Sequence, residues 1–312
     1  MEHFVTLYDS LFLPQGLALH ASMERHVKKY TLWVLCVDDE AYKILEKLEL
    51  SNVRLLQLSQ LETAELLKVK AERTKGEYCW TLTPFAPRFV FEADSMVERV
   101  TYVDADLWFR KDPIAIFKEM ESSGKSVLIT EHGYSPEYDL SATSGQYCVQ
   151  FMVFERVSGE PVRQWWEERC IEWCFARVEN DKFGDQKYLD CWPEIFSSLV
   201  HVLSTPELTL APWNATRYSY SSSVFYHFHG LRLLARERVD IGEIYSLPKV
   251  LIDHVYKPYL KDFRAAISLL SDMGFLVKYQ KKENSIIKKV VRFIGGVVRQ
   301  YWRFKAVNII KF

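Results

Sequence analysis

The stretch Arg99-Val-Thr-Tyr-Val-Asp104-Ala-Asp106-Leu-Trp-Phe109 decides the fold. Its Val, Thr, Tyr and Val residues suit a pleated, buried strand, and two aspartates one residue apart follow where that strand should end. In an extended segment alternate side chains point the same way, so a turn after the strand brings both carboxylates toward one cation. Alone, such a pair is more often a solvated loop or a helix cap. Its meaning depends on the sequence around it.

Upstream, His3-Phe-Val-Thr-Leu-Tyr8 reads as a first strand, Gly16 to Tyr30 as a helix, and Thr31-Leu-Trp-Val-Leu-Cys-Val37 as a second strand ending in Asp38-Asp39. A helix from Asp39 to Leu50, a strand Val53-Arg-Leu-Leu-Gln-Leu58 and a charged helical stretch near 60–75 continue the alternation. Strands separated by helices favour parallel pairing with crossover connections. Open sheets of this kind bind ligands at the carboxyl ends of their strands, which is where Asp104 and Asp106 fall.

Downstream come a strand Ser126-Val-Leu-Ile-Thr130, a Ser/Gly/Tyr-rich loop near 133–146 and a strand Val149-Gln-Phe-Met-Val-Phe154. A helix from Pro161 to about Arg177 precedes a strand Leu199-Val-His-Val-Leu203, a loop with Pro212-Trp-Asn214, and a strand Val224-Phe-Tyr-His-Phe-His229. The expected division is an α/β domain over 1–250 and a helical extension over 251–312.

The chain of 312 residues is 48% hydrophobic, 26% charged and 14% aromatic, which fits an ordinary globular protein. Its net charge of -1 conceals an asymmetry: residues 278–312 hold ten Lys/Arg and one Glu, which leaves the preceding body at -10. An acidic body argues against nucleic acid as a partner. Six scattered cysteines without CxxC spacing, and a start Met-Glu-His-Phe without a signal sequence, point to a reducing, cytoplasmic setting. Cys170 and Cys174, four apart on the expected helix, read as buried thiols. No run of roughly 20 apolar residues exists to span a bilayer, so any membrane contact is peripheral.

Four further segments complete a constellation: Arg88 in Thr-Pro-Phe-Ala-Pro-Arg-Phe, Tyr147-Cys-Val-Gln150, Phe183-Gly-Asp185-Gln186 and His227-Phe-His229-Gly230. With Asp104-Ala-Asp106, these resemble the GT-A glycosyltransferases of family 8, the glycogenin and bacterial lipopolysaccharide galactosyltransferase type, over residues 1 to about 235. The resemblance implies a Rossmann-like mixed, mainly parallel sheet flanked by helices. It also implies a metal held by Asp104, Asp106 and His227, with His229 as a fallback; an imidazole among the ligands suits Mn²⁺ better than Mg²⁺. The cation would neutralise the diphosphate of a UDP-sugar as it leaves.

The same resemblance puts Arg88 against the nucleotide-sugar, with pairing to Glu92 as the alternative. It puts Asp185 and Gln186 on donor-sugar hydroxyls and near the reacting carbon, with an N-cap role open to Asp185. Cys148 and Gln150 stand where the family has Asn-x-Gly beside the donor sugar; Gln150 still offers an amide to sugar hydroxyls and, with Asp185, would act catalytically by steadying positive charge at the anomeric carbon. Thr6, Tyr8 and Asp9 end the strand where uracil and ribose would sit, with edge packing as the alternative. Trp213 and Asn214 resemble an acceptor-side loop, or else a buried anchor. Gly230 matches the glycine of the His-x-x-Gly pattern. The family's Lys-Pro-Trp is absent after it, and Arg232 is the candidate replacement for that lysine on phosphate.

On a helix, Lys288, Lys289, Arg292, Arg299 and Arg303 would form a basic stripe opposite Ile287, Val290, Val291, Ile294, Val298, Tyr301 and Trp302. This basic amphipathic tail, over 284–312, reads as a surface for anionic membrane, with packing on the body as the alternative. The expected activity is metal-dependent transfer of a hexose or amino-hexose from a UDP-sugar to a glycan or lipid-linked acceptor, with retention, in surface polysaccharide or lipopolysaccharide synthesis. A nucleotide-sugar hydrolase, a nucleotidyltransferase or a non-catalytic membrane-associated relative are the alternatives.

Overall fold

The computed structural model describes residues 1–235, 238–241, 245–279 and 309–311. The basic tail inferred over 284–312 lies outside the described residues, apart from a short strand at 309–311. Among the described residues, no helix is long and apolar enough to cross a membrane.

Ten strands come first in the chain: β1 Glu2–Tyr8, β2 Tyr30–Cys36, β3 Val53–Gln57, β4 Arg99–Val103, β5 Leu107–Phe109, β6 Val127–Glu131, β7 Tyr147–Glu155, β8 Val200–Val202, β9 Thr209–Leu210 and β10 Phe225–His227. Seven of them form the central sheet in the order β3-β2-β1-β4-β7-β6-β8. The pairs β1/β2, β1/β4, β2/β3 and β6/β8 are parallel, while β7 runs antiparallel to both neighbours. The sheet is thus mixed and mainly parallel. A second sheet, β5-β10-β9, sets β10 antiparallel to β5, with His227 opposite Leu107.

Alternate residues of β1 enter different cores, as the period of two requires. Phe4 joins the layer of the helices Leu13–His26 and Lys257–Asp272, whereas Val5 and Leu7 join the layer of Lys75–Leu82, Phe85–Ala93 and Glu160–Glu172. This makes three layers, helix on sheet on helix. The C-terminal helix is tied down by Asp262, which accepts from Trp108 Nε1 at 2.8 Å and pairs with Arg25. Tyr259 on that helix stacks on Phe228 with ring centroids 3.6 Å apart.

Two helices differ from the sequence reading in their ends. The first begins at Leu13 and not Gly16, because Pro14 is at home in a first turn where its missing N–H costs nothing. Gly16 lies inside that helix, and a Cβ there would come within 2.3 Å of the Tyr8 ring. The helix stops at His26, since Lys29 takes a left-handed conformation, φ 48°, that turns the chain into β2 at Tyr30. The helix expected to reach Arg177 ends at Glu172: the Trp173 carbonyl accepts the Tyr188 hydroxyl instead, and the Phe175 carbonyl accepts the Gly184 N–H. Cys174 therefore lies beyond the helix, and both it and Cys170 are buried free thiols.

Phe4 is fully buried between the rings of Tyr30, Phe109 and Phe117. Phe4→Ala is expected to destabilise the protein by about 3–5 kcal/mol, read as a lower urea midpoint with an unchanged slope.

Candidate metal centre

At the end of β4 the Asp104 N–H still donates to the Gln150 carbonyl of β7, 3.1 Å, so the ladder outlasts the strand by one residue. The chain then turns: the Leu107 N–H returns to the Asp104 carbonyl at 3.1 Å, and the Asp106 carbonyl accepts the Phe228 N–H at 2.9 Å. That last bond fastens the aspartate turn to the residue after His227. Asp104, Asp106 and His227 consequently present ligand atoms all within 4.8 Å of one another. His227 Nε2 lies 3.1 Å from Asp106 Oδ1 and 3.7 Å from Asp104 Oδ2. Tyr102, two residues before Asp104 and so on the same side of the strand, donates its hydroxyl to Asp104 Oδ1 at 2.9 Å.

The electrostatics match a site built for positive charge. Burial raises the Asp104 carboxyl to about 6, with His227 pulling down and Asp106 pushing up. Burial acts in the same direction on Asp106, but His227 outweighs it and holds that carboxyl below its ordinary value. For His227, burial favours the neutral ring, yet the two aspartates overcome it and hold its pKa well above the usual histidine value. The imidazolium thus neutralises the carboxylate pair from within the cluster. Two hard oxygens and one imidazole nitrogen are a donor set that fits a divalent cation of the Mn²⁺ kind.

Asp185 stands close enough that Asp104 raises its pKa. Burial is the larger cause, Thr83 opposes it through a hydrogen bond, and the carboxyl reaches about 7. Its Oδ2 is buried with no partner, while its carbonyl accepts Trp166 Nε1 at 2.8 Å. Gly184 before it has φ 54°, and a Cβ there would press on the Trp80 ring at 3.3 Å. Asp185 does not cap the following turn: Lys187–Cys191 has Gln186 at its cap position, without a side-chain cap bond.

The structure gives the other sequence candidates the following partners. Gln150 turns its Oε1 to His227 Nδ1, 3.0 Å away, the ring nitrogen that does not face the aspartates. Arg88 is engaged by Glu92 at 2.7 Å and Glu167 at 3.6 Å, so its guanidinium is committed to carboxylates. The Tyr8 ring is packed in the core against Gly16, only 4% exposed, and offers no open stacking face. Asn214 is a loop anchor, accepting the Ala211 N–H and donating to the His132 and Thr209 carbonyls. Trp213 is buried too, donating to the His132 carbonyl, but its ring meets His227 and His229 edge-on at 5.3 and 5.4 Å. It walls the histidines. Gln186 donates to the Ser144 carbonyl at 2.6 Å.

Thr6 is fully buried with its hydroxyl unpartnered. Gly230 adopts φ 76° with open space where a Cβ would sit, so its backbone conformation is what requires glycine. Arg232, in the strand Arg232–Ala235, is near enough to His229 to depress its pKa after burial and His227 have done so. Asp9 caps the turn Ser10–Phe12 and also pairs with Lys75 at 2.6 Å. Lys75 reaches Asp38 as well, at 3.2 Å, and Asp38 caps the helix Asp39–Leu48. Sequence reasoning does not single out Lys75 and Asp38 as a pair. Thr74-Lys-Gly-Glu77 announces a capping box, but nothing in it says that the lysine spans two strand ends. Tyr102 is legible from strand alternation with Asp104, whereas Thr83 has no signal.

No protein-family model matches the chain. YfnD of Bacillus subtilis (strain 168) is 28% identical, over 92% of this chain and 98% of that protein. YfnF of the same organism is 31% identical, over 82% of this chain and 89% of that protein, and both are described as uncharacterized. Among solved structures, the galactosyltransferase LgtC in complex with donor and acceptor sugar analogs superposes with a TM-score of 0.51 at 11% identity, covering 84% of this chain and 95% of that one. A seven-stranded, mainly parallel mixed sheet flanked by helices is the arrangement shared with that fold. The chain belongs to the family of Bacillus subtilis YfnF and has the GT-A fold, resembling glycosyltransferase family 8.

Proposed function

We propose that this protein is a glycosyltransferase that moves a hexose or amino-hexose from a UDP-sugar to a glycan or lipid-linked acceptor, with retention, and uses Mn²⁺. The observation that carries the reading is the convergence of Asp104, Asp106 and His227 within 4.8 Å at the carboxyl end of a central strand in a GT-A sheet. Asp104, Asp106 and His227 would hold the cation. When bound, it supplies positive charge to a diphosphate, which makes the nucleotide a better leaving group. The likeness to LgtC, a galactosyltransferase solved with donor and acceptor sugar analogs, supports the substrate class.

The chain's own side chains divide the remaining work. Asp185 would accept a hydrogen bond from a donor-sugar hydroxyl and steady positive charge at the anomeric carbon, a role its buried, unpartnered Oδ2 supports. Asp9, Asp38 and Lys75 form the polar end of β1 and β2, the side assigned to the nucleoside. Thr6 and Arg232 remain candidates for nucleotide and phosphate contact. The acceptor would approach past His229 and Gly230. A hydrolase would use the same metal and donor groups and release free sugar, which a product assay distinguishes.

The basic segment beyond Tyr279 bears on the acceptor. The described chain reaches it beside Lys278, whose Nζ lies 3.6 Å from Glu40 at the start of the helix after β2. That is the strand-end side of the sheet, and ten Lys/Arg in 278–312 suit an anionic membrane carrying a lipid-linked acceptor.

Three outcomes test the proposal. With Mn²⁺ and a panel of nucleotide-sugars, mass spectrometry should show transfer or donor cleavage by the wild type. Asp106→Ala should lower kcat/KM by about a hundredfold or more, since metal stabilisation of a leaving group is worth several kcal/mol. No turnover of any donor, or equal turnover by the variant, overturns the reading. Asp185→Asn should lower kcat by about ten- to a hundredfold while Mn²⁺ binding stays at the wild-type level, measured by calorimetry. In flotation with vesicles of anionic phospholipid, the full chain should rise and a chain ending at residue 283 should not; equal flotation would end the membrane assignment.

A further inference from the structure

We infer that Gln150 is a positioning residue of the metal centre, whose side-chain oxygen fixes the tautomer of His227 so that Nε2 faces the cation. The inference rests on the proposed metal site and goes beyond it, to how the third ligand is made competent.

Gln150 sits on β7, fully buried, and touches two of the three ligands. Its carbonyl accepts the Asp104 N–H at 3.1 Å, and its Oε1 lies 3.0 Å from His227 Nδ1. An amide oxygen can only accept, so Nδ1 must carry the hydrogen. A neutral imidazole has one N–H, and with that hydrogen on Nδ1 the lone pair belongs to Nε2. Nε2 is the atom directed at Asp106 Oδ1 and Asp104 Oδ2. The opposite amide orientation would set an NH₂ against Nδ1, move the ring hydrogen to Nε2 and point it at the cation. Packing cannot make this choice: the Trp213 ring, at 84° to the imidazole, confines it but does not distinguish its tautomers.

A second observation argues against Gln150 as mere filling. Its Nε2 is buried and has no partner, an arrangement that an apolar side chain of the same volume would avoid. An amide kept in such a place is kept for its oxygen. Cys148, two residues earlier and so on the same side of the strand, also lies beside His227. The two positions at which this strand departs from the family's Asn-x-Gly therefore both face the metal's histidine. A partner on the far nitrogen of a ligating histidine both orients the ring and raises its basicity, and losing such a partner typically weakens metal binding about 10- to 100-fold.

The test is Mn²⁺ titration by calorimetry without any sugar donor, on wild type, Gln150→Leu and Gln150→Glu, each with its metal-free melting curve. Gln150→Leu should bind Mn²⁺ at least about tenfold more weakly than wild type while melting at the same temperature or higher. Gln150→Glu, which keeps an oxygen against Nδ1, should bind as wild type does or more tightly. Leu binding as tightly as Gln, or Glu binding as weakly as Leu, overturns the inference and leaves the metal site standing. A wild type that takes up no Mn²⁺ overturns the metal reading itself, and this inference with it.

Discussion

Two carboxylates on one short turn cannot be drawn out of water together without a positive partner. At about 4 Å and near a protein surface, two unit charges repel by about 4 kcal/mol, a large fraction of the net stability of a domain. Asp104 and Asp106 meet this constraint with the His227 imidazolium, 3.1 Å from the nearer oxygen. The histidine comes from a strand more than 100 residues away in sequence and is paired backbone to backbone with the segment that follows the aspartates. Much of the remaining architecture serves that meeting: β7 behind the histidine, the short second sheet that aligns it, and the C-terminal helix that backs the sheet.

The same solution appears a second time along the sheet edge. Asp9 ends β1 and Asp38 ends β2, and Lys75 lies between them at 2.6 and 3.2 Å. The carboxyl ends of three neighbouring strands thus carry a row of acids, each pair neutralised by one basic group supplied from another element. The two pairs differ in what the base is. A lysine on a flexible stem is a permanent and largely solvated counter-ion, whereas an imidazole can give up its proton and become a ligand. Only the second arrangement can exchange its internal cation for a metal.

The order of strands and helices is legible in the sequence because hydrophobic runs and Pro, Gly and Asp punctuation are local signals. The aspartate turn and the His-x-x-Gly segment are legible for the same reason. Side-chain destinations are harder to read. Arg88, Asn214 and Tyr8 carry groups suited to ligand binding, and the fold spends them on Glu92 and Glu167, on loop carbonyls, and on packing against Gly16. Gln150 reads from the sequence as an amide near the site, but which side of His227 it meets depends on the register between β4 and β7. Lys75 sits inside a cap motif whose local reading is complete without its long-range partners.

The attachment of the C-terminal helix through Asp262 and Tyr259 bears on how the site comes into being. Trp108, two residues past Asp106, and Phe228, one past His227, are held by a helix that ends at Asp272. A chain emerging from the ribosome builds β1 to β4 and the aspartate turn early. The histidine reaches that turn only after some 120 further residues, and the helix that clamps both comes later still. A nascent chain therefore carries the acids through some 120 residues of synthesis without the side chain that neutralises them, and the cluster closes only once the histidine and its clamping helix have both been made.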